Sequence, residues 1–253
     1  MSILFPLYLF LAGIVLGSFC NVVGLRLPQN APFITSRSAC PSCSTTLSAG
    51  ELIPVASYMI RKAKCRHCKT RISLLYPAGE LFTGVFLLLS YNHFGWTVEL
   101  LEAGLLLSLA VIVTISDVKY MVIPNRLLVF SALAFTVLRL FHPLQPWYDP
   151  LAGAGVGFAL VFFIIFLSRG GMGAGDMKLL AVLGLFLGVR LTLLTLFLAV
   201  AAGAVVSTFL LAAKMISRRQ PFPFGPFLMA GALISFYYGD ALTAFYLRYF
   251  IQP

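Results

Sequence analysis

Two aspartates and four cysteines carry the chemistry this sequence can support. Asp117 lies in VIVTISDVKYMVIPN (111–125) and Asp176 in GGMGAGDMK (170–178), each at the predicted cytoplasmic end of an apolar segment. An ionised side chain costs at least about 2.5–3.5 kcal/mol at the bilayer centre and less at its edge. Placement on the same edge allows the two acids to meet. Two carboxyl groups at about 3 Å do not ionise together comfortably, so they share a proton. The ionised member can then take a proton from water while the protonated one polarises a carbonyl. That is peptide hydrolysis without a covalent intermediate. The pair titrates as a unit, and the spacing does not say which Asp begins as base. The plainer readings are ion pairs with Lys119 or Lys178, and helix capping by Asp176.

The residues around Asp176 favour chemistry. Gly170, Gly171, Gly173 and Gly175 lack a β-carbon, so the chain can turn sharply and another peptide can approach closely. The helix that follows directs free N–H groups toward an anion at its start. Glu80, three residues after Pro77, reads as an ordinary first-turn acid, with a role at the cytoplasmic edge left open.

The cysteines form Cys40-Pro-Ser-Cys43 and Cys65-Arg-His-Cys68, with twenty-one residues between the pairs. Two C-x-x-C turns can place four thiolates tetrahedrally around Zn²⁺, as in zinc ribbons. Disulfides are the competing reading, and a cytoplasmic location argues against them. With four protein ligands such a zinc has no open position for water, so it is structural. Four thiolates suffice without His67, which is expected at the surface. Cys20, inside the first apolar segment, reads as a buried free thiol.

These residues need membrane helices to hold them. The 253-residue chain is 60 % hydrophobic and 10 % charged, against about 25 % charged in soluble proteins. Apolar segments of spanning length, about 17–25 residues, recur throughout. The predicted spans are 3–24, 77–94, 99–116, 121–141, 151–168, 176–189, 191–213 and 224–247, with a turn at LGVR (187–190) separating two of them. This makes an all-α polytopic membrane protein of about eight helices with both termini outside. Residues 1–24 are the first helix, 25–76 a cytoplasmic four-cysteine, zinc-ribbon-like insert, and 77–253 the remaining membrane-embedded helices. No Lys or Arg precedes the first span, as one would in a cleaved signal peptide. Of the 18 basic residues all but Arg139, Arg190 and Arg248 fall on the predicted cytoplasmic side, as the positive-inside rule requires. Trp96 and Trp147 fall near the outer interface. The formal charge of +10 is thus accounted for by topology and anionic lipid, with no nucleic-acid partner expected.

Gly173–Asp176 fits the G-x-G-D signature of intramembrane aspartyl proteases. With SDVKYMVIPN, MGAGDMKL and PFPFGPFL, and with GSFCNVVGLRLP and YPAGELFTG before them, the chain resembles the type IV prepilin peptidases over nearly its whole length. The likeness is nearest to the competence-pilus versions of Gram-positive bacteria. It implies a bacterial cell-membrane enzyme with Asp117 and Asp176 as the catalytic pair, cleaving the leader of prepilin-like substrates at the cytoplasmic face. It also implies N-methylation of the new N-terminal residue from S-adenosylmethionine. No donor-binding residues can be assigned, and the sequence has no dinucleotide-type glycine fingerprint. The family's Gly-Lys-Cys before the second cysteine pair reads Ala63-Lys64-Cys65 here.

Two other classes compete. A cation-coupled transporter would place its acids near the midplane and open to both faces. A membrane-anchored zinc-ribbon adaptor would use the acids only as helix caps.

Overall fold

The computed structural model describes residues 4–34, 37–40, 42–168, 171–217 and 222–251. The predicted cytoplasmic residues Arg169, Arg218 and Arg219, and Gly170 of the glycine-rich turn, lie outside them. Among the described residues eight α-helices follow in order: α1 (Leu4–Arg26), α2 (Ala56–Ile60), α3 (Leu75–Phe94), α4 (Val98–Tyr120), α5 (Asn125–Phe141), α6 (Asp149–Leu167), α7 (Ala174–Ala212) and α8 (Gly225–Tyr246). Among the described residues there is no β-strand, only isolated bridges pairing Ala39 with Thr46 and Lys64 with Arg71. Five helices, α1, α4, α6, α7 and α8, are long and apolar enough to cross a membrane. The eight predicted spans correspond to α1, α3, α4, α5, α6, the two halves of α7, and α8, while α2 is a short turn of helix inside the insert.

The chain divides into two compact units, Met1–Ile115 and Ser116–Pro253, with the boundary inside α4. In the first unit α1 packs on α3. Asn21, buried in α1, donates from Nδ2 to Tyr76 O at 2.8 Å. The insert between these helices is built from turns, as expected of a segment with too little apolar sequence for a core of its own.

In the second unit α6 packs on α7 through small residues. Lipid supplies no hydrophobic force between helices, so close backbone approach does the work. A β-carbon at Gly153 would lie 2.6 Å from Gly184 O, closer than real contacts allow. The continuous apolar run 174–212 is interrupted once, at Gly188 (φ 75°, ψ 178°), a conformation suited to glycine. The predicted turn at 187–190 falls on this break. Its orphaned backbone groups find charged partners. Arg139 donates from Nε and Nη2 to Phe186 O at 3.0 and 2.7 Å, and Val189 N–H donates to Asp149 Oδ1 at 3.2 Å.

Two boundaries move in a way that matters. α4 continues past the predicted end at 116 to Tyr120, so Asp117 sits in its last turn. α5 starts at Asn125 and not at 121. Met121, at φ 53°, donates its N–H to Asp117 O and ends α4, and Pro124 disfavours helix at the residue before it.

Candidate active site and metal site

Asp117 and Asp176 both belong to the second unit and are buried, at 7 % and 8 % exposure. Each carboxylate is anchored by one backbone amide. Asp117 Oδ2 accepts from Gly225 N–H at 2.8 Å, at the start of α8. Asp176 Oδ2 accepts from Gly173 N–H at 3.1 Å, while Asp176 N–H donates back to Gly173 O at 3.1 Å. α7 begins at Ala174 and not at 176, so Asp176 is its third residue, and the side chain reaches back to the N-cap Gly173, which orients the acid.

The turn after Asp117 brings the two acids toward one another. Ser116 Oγ donates to Val122 O and folds residues 116–122 tightly. Ile123, buried, then packs on Gly175, where an added β-carbon would meet the Ile123 Cβ at 3.3 Å. Lys178 Nζ reaches Asn125 Oδ1 at 3.0 Å and ties the start of α7 to the start of α5. As a result the Asp117 and Asp176 carboxyl groups interact electrostatically. Neither lysine pairs with them: Lys178 is held by Asn125, and Lys119 lies over the Tyr120 ring at 5.7 Å. Two buried carboxyl groups near enough to feel each other's charge, each fixed by a peptide N–H, are the parts needed to share a proton and handle a water molecule.

The four cysteines gather at one point of the insert. The sulfurs of Cys40, Cys43, Cys65 and Cys68 all lie within 4.8 Å of one another, and Cys40 Sγ is 3.7 Å from Cys68 Sγ. Four sulfurs at about 2.3 Å from a tetrahedral zinc are separated by about 3.8 Å, close to the Cys40–Cys68 separation and within reach of the others. It can bind a metal. Thr45 holds the Cys43 thiol below the usual range, through its hydroxyl and then its backbone amide. Thr70 does the same for Cys68 and brings it to about 6. Both favour the thiolate that a metal needs. His67 is exposed and Cys20 is buried in α1, as expected.

Residues 11–94 match the Bacterial Peptidase A24 N-terminal domain, and residues 104–208 match the Type IV leader peptidase family. A Bacillus subtilis protein named prepilin leader peptidase/N-methyltransferase is 40 % identical over 95 % of this chain and 97 % of its own. The chain belongs to the type IV leader peptidase family. Proteins of the same name from Stutzerimonas stutzeri (32 % identical) and Pseudomonas aeruginosa (30 % identical) each cover 97 % of this chain and 94 % of their own. No solved structure matches it.

In this member of the type IV leader peptidase family, Glu80 departs from its sequence reading. α3 begins at Leu75, so Glu80 lies beyond its first turn. Its buried carboxylate accepts instead from Val55 N–H at 2.7 Å and interacts with the Ser18 side chain. Val55 is itself unusual: φ 59° and ψ −52°, with Ala56 N–H donating to Pro54 O at 2.5 Å, form a tight three-residue turn. Such backbone is costly for a β-branched residue. Glu80 thus fixes the insert's LIPV segment to α3. Sequence reasoning also missed the Gly225 amide, because a backbone donor leaves no residue-type signal. PFPFGPFL marked the place without indicating the bond.

Proposed function

We propose that this chain is an intramembrane aspartyl endopeptidase that removes the leader from type IV prepilin-like proteins, with Asp117 and Asp176 as the catalytic pair. The observation that carries the reading is the juxtaposition of these two buried acids, each oriented by one amide, in a chain 40 % identical over 95 % of its length to a prepilin leader peptidase/N-methyltransferase. One carboxylate takes a proton from water, and the protonated partner polarises the scissile carbonyl. The glycine-rich turn before α7 leaves room for the unwound substrate segment. The substrate is apolar and helical just after the cleavage point, so it lies along the enzyme's helices while its leader stays in the cytoplasm. The excess of basic residues on the same side supports that orientation, with both termini outside.

The chain also N-methylates the new N-terminal residue, as the double name of its relatives supports. S-adenosylmethionine is the donor proposed. Cys40, Cys43, Cys65 and Cys68 hold Zn²⁺, whose contribution is to fold the insert.

The test is cleavage of a prepilin-like peptide by purified enzyme in lipid, read by product mass. Asp117→Asn and Asp176→Asn should each lose at least roughly 10³-fold in rate while keeping wild-type helix content and melting. Full cleavage by either folded variant removes that residue from the pair and reopens the adaptor and transporter readings.

A further inference from the structure

The two cysteine knuckles of the insert repeat one hydrogen-bond pattern, 25 residues apart. Cys40 N–H donates to Thr45 O at 3.0 Å and Ser44 N–H to Cys40 O at 2.8 Å. In the second half Cys65 N–H donates to Thr70 O at 2.9 Å and Lys69 N–H to Cys65 O at 3.2 Å. Leu47 N–H to Ser38 O is repeated by Ile72 N–H to Ala63 O, both at 2.8 Å. Ser44 and Lys69 both take left-handed backbone, at φ 56° and 60°. The repeat extends to the side chains. Thr45 Oγ1 lies 3.4 Å from Cys43 Sγ, and Thr70 Oγ1 lies 3.3 Å from Cys68 Sγ. Each knuckle therefore reads C-x-x-C-x-T, and in each the threonine hydroxyl sits on the second sulfur.

We propose that Thr45 and Thr70 are outer-sphere residues of the metal site, each donating its hydroxyl hydrogen to one metal-bound thiolate. This rests on the reading that the four cysteines hold an ion. A metal-bound thiolate has no proton, so the hydroxyl is the donor in both contacts. A tetrathiolate around a divalent ion carries excess negative charge, and two hydroxyl donors spread it. They also fix the direction of the lone pair each sulfur presents to the metal. Partners of this kind typically govern metal affinity by about 10- to 100-fold. The backbone bond from each cysteine N–H to the threonine carbonyl holds the hydroxyl in register before any ion arrives. Among the described residues no hydroxyl is bonded to Cys40 or Cys65, the first in each knuckle, so the two sulfurs of each pair are inequivalent.

The experiment is zinc competition on the full-length chain in detergent, using a chelator of known affinity and cobalt(II) as a spectroscopic probe of tetrathiolate geometry. Thr45→Val and Thr70→Val should each give up zinc about tenfold more readily or worse, whereas Thr45→Ser and Thr70→Ser should stay near wild type. Helix content, read by circular dichroism, checks that each variant is folded. Valine variants that hold zinc as tightly as wild type overturn the proposal, as do serine variants that fall as far as the valine ones. A wild-type chain that takes up neither zinc nor cobalt sinks the metal reading and this proposal with it; wild-type binding with unchanged valine variants sinks the proposal alone.

Discussion

The carboxylate of Asp117 is tied to the backbone N–H of Gly225, 108 residues further along the chain, at 2.8 Å and away from water. The bond explains what PFPFGPFL contributes, since the first amide of α8 aims one of the two acids. Proline is tolerated at the first position of a helix, where the N–H has no intrahelical partner. Gly225→Pro removes this donor, though it also presses on Phe224, whose helical backbone (φ −96°, ψ −23°) a following proline disfavours, so helix content and melting are measured beside the rate. The expected result is a fall in kcat of roughly tenfold to a hundredfold, the rate equivalent of losing a charged hydrogen bond, with KM little changed. Gly225→Ala keeps the N–H and should retain more of the rate. Equal kcat in the proline variant and wild type would show that the amide does not position Asp117.

Metal removal should be visible in thiol reactivity. In the metal-loaded chain Cys40, Cys43, Cys65 and Cys68 should label slowly, and Cys20, buried in α1, should label only on denaturation. Stripping the metal should release four fast thiols, led by the exposed Cys68, whose thiolate Thr70 favours. Replacing Cys65 by Ser should abolish stoichiometric zinc. Unchanged labelling after exhaustive chelation would count against a metal-held insert.

Ala63 sits at φ 60°, in the left-handed region, and Lys69 does the same in the second knuckle. Residues with a β-carbon are strained there by about 1 kcal/mol, and glycine is not. Ala63→Gly and Lys69→Gly should therefore stabilise the insert, despite the greater freedom of glycine in the unfolded chain. Ala63→Val should do the opposite. Amide hydrogen exchange at Ile72, whose N–H is bonded to Ala63 O, reads the change directly. This also explains why a Gly-Lys-Cys pattern suits the position: the backbone there asks for glycine and this chain supplies alanine.

Glu51 is held below the ordinary carboxylate range by the Ser48 backbone N–H, then by the Ser48 hydroxyl, with Arg61 at 3.0 Å adding to it. A carboxylate with a depressed folded value contributes stability above its unfolded value of about 4.3 and loses it as pH falls through the folded one. A carbon-13 titration of the Glu51 carboxyl should show a midpoint below about 4.3. Ser48→Ala should move that midpoint upward. An unmoved midpoint would mean that Ser48 does not hold the charge.

What the sequence disclosed was chemistry marked by residue type. The paired C-x-x-C turns announced a four-sulfur cluster, and LGVR announced a break in 174–212, because only glycine relieves a positive φ inside an apolar run. Less legible were contacts in which one partner is backbone. The helical pattern could not predict that α4 would run on to Tyr120, since the stop depends on Met121 turning left-handed before Pro124. Nor could it give Glu80 its partner, since the Val55 amide becomes a donor only once the LIPV segment has folded into its strained turn. The C-x-x-C-x-T repeat was in plain view, but it gained meaning only when both hydroxyls were found on sulfur.

The break at Gly188 settles a question of parity. As one rod, the 39 residues of α7 would extend about 58 Å at 1.5 Å per residue. Everything downstream would then emerge at the wrong end. Folded back on itself, the segment counts as two crossings, and α8 starts where α7 started. The Gly225 amide can reach Asp117 only under that even count, and Arg190 beside the break meets Asp240 at the opposite end. A straight rod over 174–212 would carry Gly225 to the far end from Asp117 and leave the acid without its anchor. Arg139 and Asp149, by satisfying the backbone on either side of the break, thus help decide where Gly225, well downstream of Gly188, can meet Asp117.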